Sequence, residues 1–369
     1  MKIAIVHEWL TTFAGSEKAL EQILKIFPDA DVYCIVDYLP DAKREFLKGH
    51  KITTTFIQKL PFVEKNYRSY LPLMPLAISL LDLSDYDLII SSNHAVANGV
   101  KTTSKQIHVS YTYSPMRYAW DLREQYLKES NLDRGVKGFL TRFILSRLKK
   151  WDYRAAQGVD YFIAISGFIK DRIYRCYGKD SVVIYPPVDT DFYQIGGTKG
   201  DFYLVASRMV PYKMMPLIVS AFSDMPDKKL VVIGDGPDFD RVKERAGDNV
   251  EILGYQDDLV LREYLQNAKA LVFAAEEDFG ILPVEAQACG TPVIGFSKGG
   301  LLETVNGLDS EKPTGVFFDE QSKLSIKAAV EVFEANSAVF VPENCRENAV
   351  RFSEEAFRAR FQEYIDSIS

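Results

Sequence analysis

Four charged residues in the second half of the sequence have types and spacing suited to holding a nucleotide diphosphate. Arg208 and Lys213 lie five residues apart directly after a short apolar run, and Glu277 and Glu285 flank a glycine-containing segment after another such run. An arginine fork and a lysine point charge stabilise the negative charge that develops on a diphosphate leaving group. Glu285 is placed to accept hydrogen bonds from a ribose diol, and Glu277 from sugar hydroxyls. We predict Arg208, Lys213 and Glu277 as catalytic residues.

The segment between the two glutamates predicts a phosphate-binding backbone. It follows an apolar strand pattern, and Pro283 predicts the start of a helix, with Glu285 in the first turn. The first N–H groups of a helix favour a phosphate, and glycine permits its close approach. The predicted donor contacts in this segment are Phe279, Gly280, Ile281, Leu282 and Glu285. The alternative is that the acids cap a solvent-exposed helix and that Arg208 and Lys213 belong to an exposed basic loop.

Two further segments carry weaker signals. Gly234 and Gly236 follow a strand pattern in Gly-Asp-Gly-Pro, which is also ordinary turn chemistry. In the first half, His94 ends an apolar strand pattern and is the best placed of the histidines for a site. We predict it as a further catalytic residue without general-base work, with a satisfied loop histidine as the alternative. An aromatic and charged loop follows the next strand, and aromatic faces and carboxylates bind sugars. The acceptor-binding residues predicted there are Arg117, Tyr118, Trp120 and Asp121, with aromatic packing beneath the loop as the alternative.

Composition limits the classes of protein to consider. The 369 residues suit two domains, and 47% hydrophobic with 26% charged residues is typical of a globular protein. The net charge of −7 argues against a nucleic-acid partner. The four cysteines have no metal-ligand spacing and are predicted to be reduced core thiols. The apolar run Ile3 to Val6 is too short for a signal peptide, and no longer apolar run suggests a membrane span, so we expect a cytoplasmic protein.

Short apolar runs alternate with helical patterns and predict two doubly wound parallel sheets, an α/β architecture of two Rossmann-like domains facing across a cleft. The strands are predicted at Lys2–Val6, Ala30–Val36, Leu88–Ser91, Ile107–Tyr111, Tyr161–Ile165, Phe202–Ala206, Lys229–Ile233, Val250–Leu253, Ala270–Phe273 and Pro292–Gly295. A hinge predicted over Tyr185–Asp189 and the Gly196-Gly197 pair divides an acceptor-binding domain, 1–187, from a donor-binding domain, 188–345. Residues 343–369 predict one amphipathic helix, of which 346–369 would return to the first domain.

The order of Arg208 and Lys213, Gly-Asp-Gly-Pro, and Glu-x-Phe-Gly-x-x-x-x-Glu resembles the large fourth family of retaining glycosyltransferases, which has the GT-B fold. The resemblance implies that Arg208 and Lys213 hold the donor diphosphate, that Glu285 binds ribose and that Glu277 contacts the transferred sugar. It places Tyr255 near the base and His94 beside the reacting sugar. Many relatives have two adjacent glycines in the first-domain loop, whereas this chain has Ala14-Gly15, and we retain Gly15 as a donor contact.

The segment Pro115–Asp121 resembles bacterial polysaccharide mannosyltransferases within that family. This narrower likeness implies α-mannose transfer from GDP-mannose to a lipid-linked glycan, as in lipopolysaccharide and O-antigen synthesis. The mechanism implied is front-face substitution without an enzymic nucleophile. No metal or cofactor is expected, because no Asp-x-Asp follows a strand. The alternatives are a UDP-sugar transferase of the same family, a nucleotide-sugar epimerase, a phosphorylase and a non-catalytic sugar-nucleotide-binding protein.

A basic amphipathic pattern over 134–150 predicts a helix able to lie on the inner membrane leaflet, which would suit a lipid-linked acceptor. The pattern equally fits a domain helix with its basic face in water. We therefore expect a protein at the cytoplasmic face, with peripheral membrane contact.

Overall fold

The computed structural model describes residues 1–120, 127 and 134–369. It divides into two compact units, one of residues 1–186 with 357–369 and the other of residues 187–356. The boundary falls between Pro186 and Pro187, and each unit contains one parallel sheet. The two predicted doubly wound domains are confirmed.

The first unit is built on a parallel sheet of order β3-β2-β1-β4-β5-β6-β7. Its strands are β1 Ile3–His7, β2 Asp31–Cys34, β3 Ile52–Thr54, β4 Leu88–Asn93, β5 Ile107–Thr112, β6 Tyr161–Ala164 and β7 Ser181–Val183. Every residue of β4 is buried, as expected for a central strand covered on both faces. Strands β3 and β7 were not predicted; they lie at the two edges and are short and only partly buried.

The helices of the first unit connect these strands. They are α1 Gly15–Ile26, α2 Val63–Asn66, α3 Met74–Ser79, α4 Gly135–Gln157 and α5 Gly167–Tyr177. Short 3-10 helices lie at Asp41–Lys43, Glu45–Leu47, Phe56–Lys59, Tyr67–Leu73 and Ala97–Gly99. Helix α5 has a cap at each end. The Ser166 hydroxyl accepts the N–H of Ile169 and so begins the helix, and Gly178 adopts a left-handed conformation with φ +67° and ends it.

The second unit has a parallel sheet of order β10-β9-β8-β11-β12-β13. Its strands are β8 Tyr203–Ala206, β9 Leu230–Ile233, β10 Val250–Gly254, β11 Leu271–Phe273, β12 Val293–Phe296 and β13 Gly315–Phe318. Its helices are α6 Met215–Ser223, α7 Phe239–Lys243, α8 Asp258–Asn267, α9 Ile281–Ala288, α10 Leu301–Thr304, α11 Lys323–Ala335 and α12 Pro342–Val350, with 3-10 helices at Pro211–Lys213 and Ser337–Val339. The edge strand β13 was not predicted.

The prediction of one continuous helix over 343–369 is wrong. Helix α12 ends at Val350, and a new helix, α13, runs over Glu354–Ile368. The chain breaks at Phe352 and Ser353, where the N–H of Val188 donates to the Phe352 carbonyl at 2.9 Å and the Ser353 hydroxyl accepts the N–H of Ala356 at 3.1 Å. The serine side chain therefore begins α13 as a helix cap. From Phe357 onward α13 belongs to the first unit.

The four cysteines are free and buried, as predicted. Within the described ranges, no helix combines the length and apolar composition required to cross a bilayer.

Candidate active site

The predicted donor residues lie at the carboxyl edge of the second sheet, around its topological switch point. From β8 the chain continues to β9 on one side, whereas β11 lies on the other side. Loops that leave neighbouring parallel strands in opposite directions open a crevice, where ligands bind in this architecture. Arg208 and Lys213 follow β8, and Glu277 follows β11.

Lys213 and Glu277 form an ion pair across this switch point. Their side chains are 18% and 15% exposed, so the pair is shielded from solvent and still reachable by a ligand. The aromatic rings of Tyr212 and Phe273 lie 5.3 and 5.8 Å from the lysine nitrogen. Arg208 is exposed on the loop that begins after β8. The structure thus brings together a cation and an acid that the sequence places 64 residues apart.

Gly234 and Gly236 allow two loops to pack backbone against backbone beside this pair. A Cβ atom on Gly234 would overlap the carbonyl oxygen of Ser207, and one on Gly236 would lie 2.6 Å from the carbonyl oxygen of Met209. The N–H of Met209 donates to the carbonyl of Asp235 at 2.8 Å. The glycine turn therefore supports the loop that carries Arg208.

Helix α9 begins at Ile281, two residues before Pro283, so Glu285 lies in its second turn and not in its first. Gly280 precedes the helix with φ +91°, a left-handed conformation that favours glycine. The first N–H groups of α9, including those of Ile281 and Leu282, have no acceptor within the helix and attract an anion. Glu285 is only 6% exposed. Phe279 is buried against Phe352, with ring centroids 5.4 Å apart, which leaves its backbone as the part able to face a ligand.

A glycine turn that was not predicted from the sequence, at Gly299 and Gly300, holds the Glu277 loop. The N–H of Gly300 donates to the Glu277 carbonyl at 2.8 Å, and a Cβ on Gly300 would lie 2.6 Å from the carbonyl oxygen of Asp278. Gly299 has φ +73° and pairs with Glu277 in an isolated parallel bridge. The Gly-Gly dipeptide after the β12 pattern was the available signal.

Tyr255 follows β10 at the same edge of the second sheet and is 75% exposed. Its ring is therefore open to a planar ligand. Its proposed place near a nucleotide base stays a prediction.

In the first sheet the switch point lies between β1 and β4, and His94 follows β4 there. The half-buried His94 ring meets Trp9 edge-on, with ring centroids 4.8 Å apart. Burial lowers the pKa of His94, and the nearby Glu8 carboxylate only partly opposes this effect. The imidazole is therefore mainly neutral at pH 7.

The loop that carries Gly15 is held by a buried polar network. The N–H of Ala14 donates to Glu17 at 2.9 Å, and Glu17 is bonded to His7 at 3.2 Å. The Tyr113 hydroxyl donates to the carbonyl of Ser16 at 3.0 Å. Burial alone would raise the pKa of Glu17, but the bonds to His7 and Ala14 lower it overall. Gly15 is the first residue of α1, and the hydrogen bonds of Ala14 and Ser16 fix the backbone on either side of it.

The predicted acceptor loop lies only partly within the described residues, and Asp121 falls outside them. Trp120 donates through Nε1 to Asp152 at 2.8 Å, and the Lys149 nitrogen lies 4.2 Å from the Trp120 ring centroid. Asp152, which sequence reasoning missed, also accepts from Tyr177 at 2.8 Å, and burial raises its pKa to about 7. These contacts favour packing as the role of Trp120. Arg117 and Tyr118 are half-buried nearby, and their acceptor role stays a prediction.

Two family models match successive parts of the chain. The model described as Glycosyltransferase Family 4 matches residues 15–192, and the one described as Glycosyl transferases group 1 matches residues 191–355. Together they cover residues 15–355 and therefore every predicted site residue.

Individual relatives agree with this assignment. An uncharacterised glycosyltransferase of Methanocaldococcus jannaschii is 29% identical over 167 residues, covering 43% of this chain and 47% of the relative. A GDP-mannose-dependent alpha-(1-6)-phosphatidylinositol monomannoside mannosyltransferase of Mycolicibacterium smegmatis is 26% identical over 212 residues, covering 48% and 53%. The matches thus span about half the length of these curated relatives.

The crystal structure of HepE from Anabaena in complex with UDP and glucose covers 100% of both chains with a TM-score of 0.69 and 17% identity. This likeness shows the GT-B fold. The family itself is shown by the two models, which together cover residues 15–355 and place the chain among the group 1 glycosyltransferases.

Proposed function

We propose that this protein is a retaining glycosyltransferase that moves a hexose from a nucleotide sugar to a glycan acceptor. The observation that carries the proposal is the shielded Lys213–Glu277 pair at the switch point of the second sheet. A cation there meets the diphosphate, and the acid beside it meets the sugar hydroxyls. The start of α9 adds N–H groups aimed at a phosphate.

In the proposed reaction, the bond between the anomeric carbon and the diphosphate oxygen breaks, and the acceptor oxygen bonds to that carbon on the same face. The departing diphosphate oxygen takes the acceptor proton. Arg208, Lys213 and the first N–H groups of α9 stabilise the charge left on the diphosphate. No side chain has to act as a nucleophile, and no metal or other cofactor is assigned a role.

We propose GDP-mannose as the donor and α-mannose as the transferred sugar. Support comes from the segment Pro115–Asp121 and from the relative in Mycolicibacterium smegmatis, whose name specifies GDP-mannose. The rival donor is a UDP-sugar, favoured by the complex of HepE with UDP and glucose. A lipid-linked glycan of bacterial surface polysaccharide is the proposed acceptor.

Calorimetric titration with GDP, UDP and ADP tests the donor assignment. We expect GDP to bind at least about tenfold more tightly than the other two, and Arg208→Ala to weaken that binding by about tenfold or more because a charge-assisted bond to phosphate is lost. Preferential binding of UDP would reassign the donor. Failure of all three nucleotides to bind a folded protein would refute the transferase proposal.

We also propose that α4 contacts an anionic membrane surface at the cytoplasmic face. Leu145 and Leu148 anchor the helix in the core of the first unit, whereas a second apolar group faces outward. That group has exposures of 85% for Val136, 75% for Phe139, 55% for Leu140 and 50% for Phe143. Basic residues border it at Lys137, Arg142, Arg147 and Lys150. Exposed aromatic and basic residues on one helix suit an anionic interface.

Replacing Phe139 and Phe143 together by serine is expected to weaken binding to anionic phospholipid vesicles by about tenfold, because both rings would lose their apolar environment. Co-sedimentation at low and high salt measures this, and the wild-type binding should also fall with added salt. Leu324→Ser, at a residue 78% exposed in the second unit, is the matched control. Equal binding by the double variant and the wild type would exclude α4 as the contact.

A further inference from the structure

Glu8 lies directly after β1 and is fully buried, yet no role follows for it from the sequence motifs. Its carboxylate accepts hydrogen bonds from four consecutive backbone N–H groups of the loop after β4. Oε1 accepts from His94 at 3.1 Å, Ala95 at 2.7 Å, Val96 at 2.8 Å and Ala97 at 3.1 Å, and Oε2 accepts from Val96 at 2.9 Å. One side chain thus accepts hydrogen bonds from all the backbone N–H groups of residues 94–97, an arc of backbone around the carboxylate.

The chemistry of this contact requires a carboxylate of this length. An ionised carboxylate offers about four lone-pair sites and accepts only, which suits a set of converging donors. A glutamine would place an NH₂ group against the N–H of Val96, and an aspartate would withdraw the acceptor by one methylene. Since buried N–H groups that lose their acceptor are costly, the arc holds this shape only while Glu8 is in place.

Two other hydrogen bonds support this loop at residues beyond His94. The Ser91 hydroxyl donates to the carbonyl of Ala97 at 3.1 Å, and the N–H of Asn98 donates to the Asn93 side chain at 3.2 Å. Both bonds fix the far end of the arc. At the near end, the backbone N–H of His94 itself is bonded to Glu8. The rings of Trp9 and Tyr113 meet the His94 ring edge-on, with centroids 4.8 and 6.2 Å away, so they flank the side chain while the Glu8 carboxylate fixes the backbone that carries it.

We propose that Glu8 is a positioning residue for sugar transfer, which fixes the backbone of residues 94–97 and so aims His94 at the reacting sugar. This inference rests on the proposed function. Glu8 does not touch the substrate; it acts through His94. Because the predicted diphosphate ligands Arg208 and Lys213 belong to the other unit, we expect nucleotide affinity to be independent of Glu8.

The test compares Glu8→Gln and Glu8→Asp with the wild type in steady-state transfer, nucleotide titration and hydrogen exchange. Displacement of a reacting group by about 1 Å costs up to about 100-fold, so we expect kcat to fall by about 10- to 100-fold in both variants. The dissociation constant of the nucleotide should stay within about twofold. Amide exchange of the peptide containing residues 94–97 should accelerate. Asp160→Asn, which makes the same chemical change at a carboxylate that accepts the N–H of His108 at 2.9 Å, is the matched control and should leave kcat unchanged.

Wild-type kcat in folded Glu8→Gln would overturn the proposal, and so would full activity of Glu8→Asp, because charge alone would then suffice. A fall in activity that only matches a fall in the folded fraction of the first unit, measured by tryptophan fluorescence, would also overturn it. A wild-type protein that transfers from no donor would refute the proposed function, and the role of Glu8 with it. An active wild type with unaffected variants would refute the role of Glu8 alone.

Discussion

Replacing Lys213 by alanine is expected to lower kcat/KM for sugar transfer by about 10²- to 10³-fold, the usual cost of removing a preorganised group that stabilises developing charge. Lys213 is shielded from solvent and paired with Glu277 in the free protein, so its charge is already in place before the donor binds. A group positioned in advance stabilises the departing diphosphate without reorganisation. Steady-state kinetics with the donor identified by calorimetry measures the effect.

The loss should be larger in kcat/KM than in nucleotide affinity, since the charge on the diphosphate grows as the sugar bond breaks. Lys229→Ala is the matched control, because Lys229 is also an ion-paired lysine, 2.9 Å from Glu251, but lies just before β9 at the amino edge of the same sheet. We expect this variant to retain full activity. If Lys213→Ala were as active as Lys229→Ala, the assignment of Lys213 to the diphosphate would be wrong.

Replacing Gly234 by alanine is expected to reduce the free energy of unfolding of the second unit by about 3 kcal/mol or more. Gly234 has φ +137°, which L side chains rarely adopt, and its Cβ would overlap the backbone carbonyl of Ser207. Neither backbone segment can yield without moving the loop that carries Arg208. Nucleotide binding should therefore weaken together with stability.

The substitution Gly254→Ala separates the energetic cost of the steric clash from the cost of a positive φ angle. Gly254 has φ +70°, but nothing lies within 4 Å of its Cβ position, so alanine should cost only about 1–2 kcal/mol there. Urea unfolding followed by circular dichroism reports on both units, whereas tryptophan fluorescence reports on the first, which holds Trp9, Trp120 and Trp151. Equal destabilisation by the two substitutions would show that the overlap with Ser207 adds nothing to the loss in free energy of unfolding caused by Gly234→Ala.

The predictability of the fold differed between the centre and the edges of each sheet. All the strands predicted from apolar runs are present, and all except β10 lie inside a sheet, where strands are covered on both faces and rich in apolar residues. Strands β3, β7 and β13 lie at edges and are only three or four residues long. Strands β3 and β7 also contain polar residues, Thr53 and Ser181 among them, which weaken the apolar signal. Helix boundaries were less predictable than helices: Ser353 starts a second helix inside a continuous amphipathic pattern, and α9 starts before Pro283.

By itself the sequence determined the alternation of strands and helices, the two-unit architecture and the position of each motif after a strand, since all of these follow from local periodicity and from proline and glycine chemistry. Only the tertiary structure decided which side chains meet. Lys213 reaches Glu277 because β8 and β11 are neighbours, and Glu8 reaches the loop at His94 because β1 and β4 are neighbours. Trp120 likewise donates to Asp152 of α4, 32 residues further along the chain. Strand order and register bring together residues that are far apart along the chain. Local sequence patterns do not indicate which strands will be neighbours in the sheet.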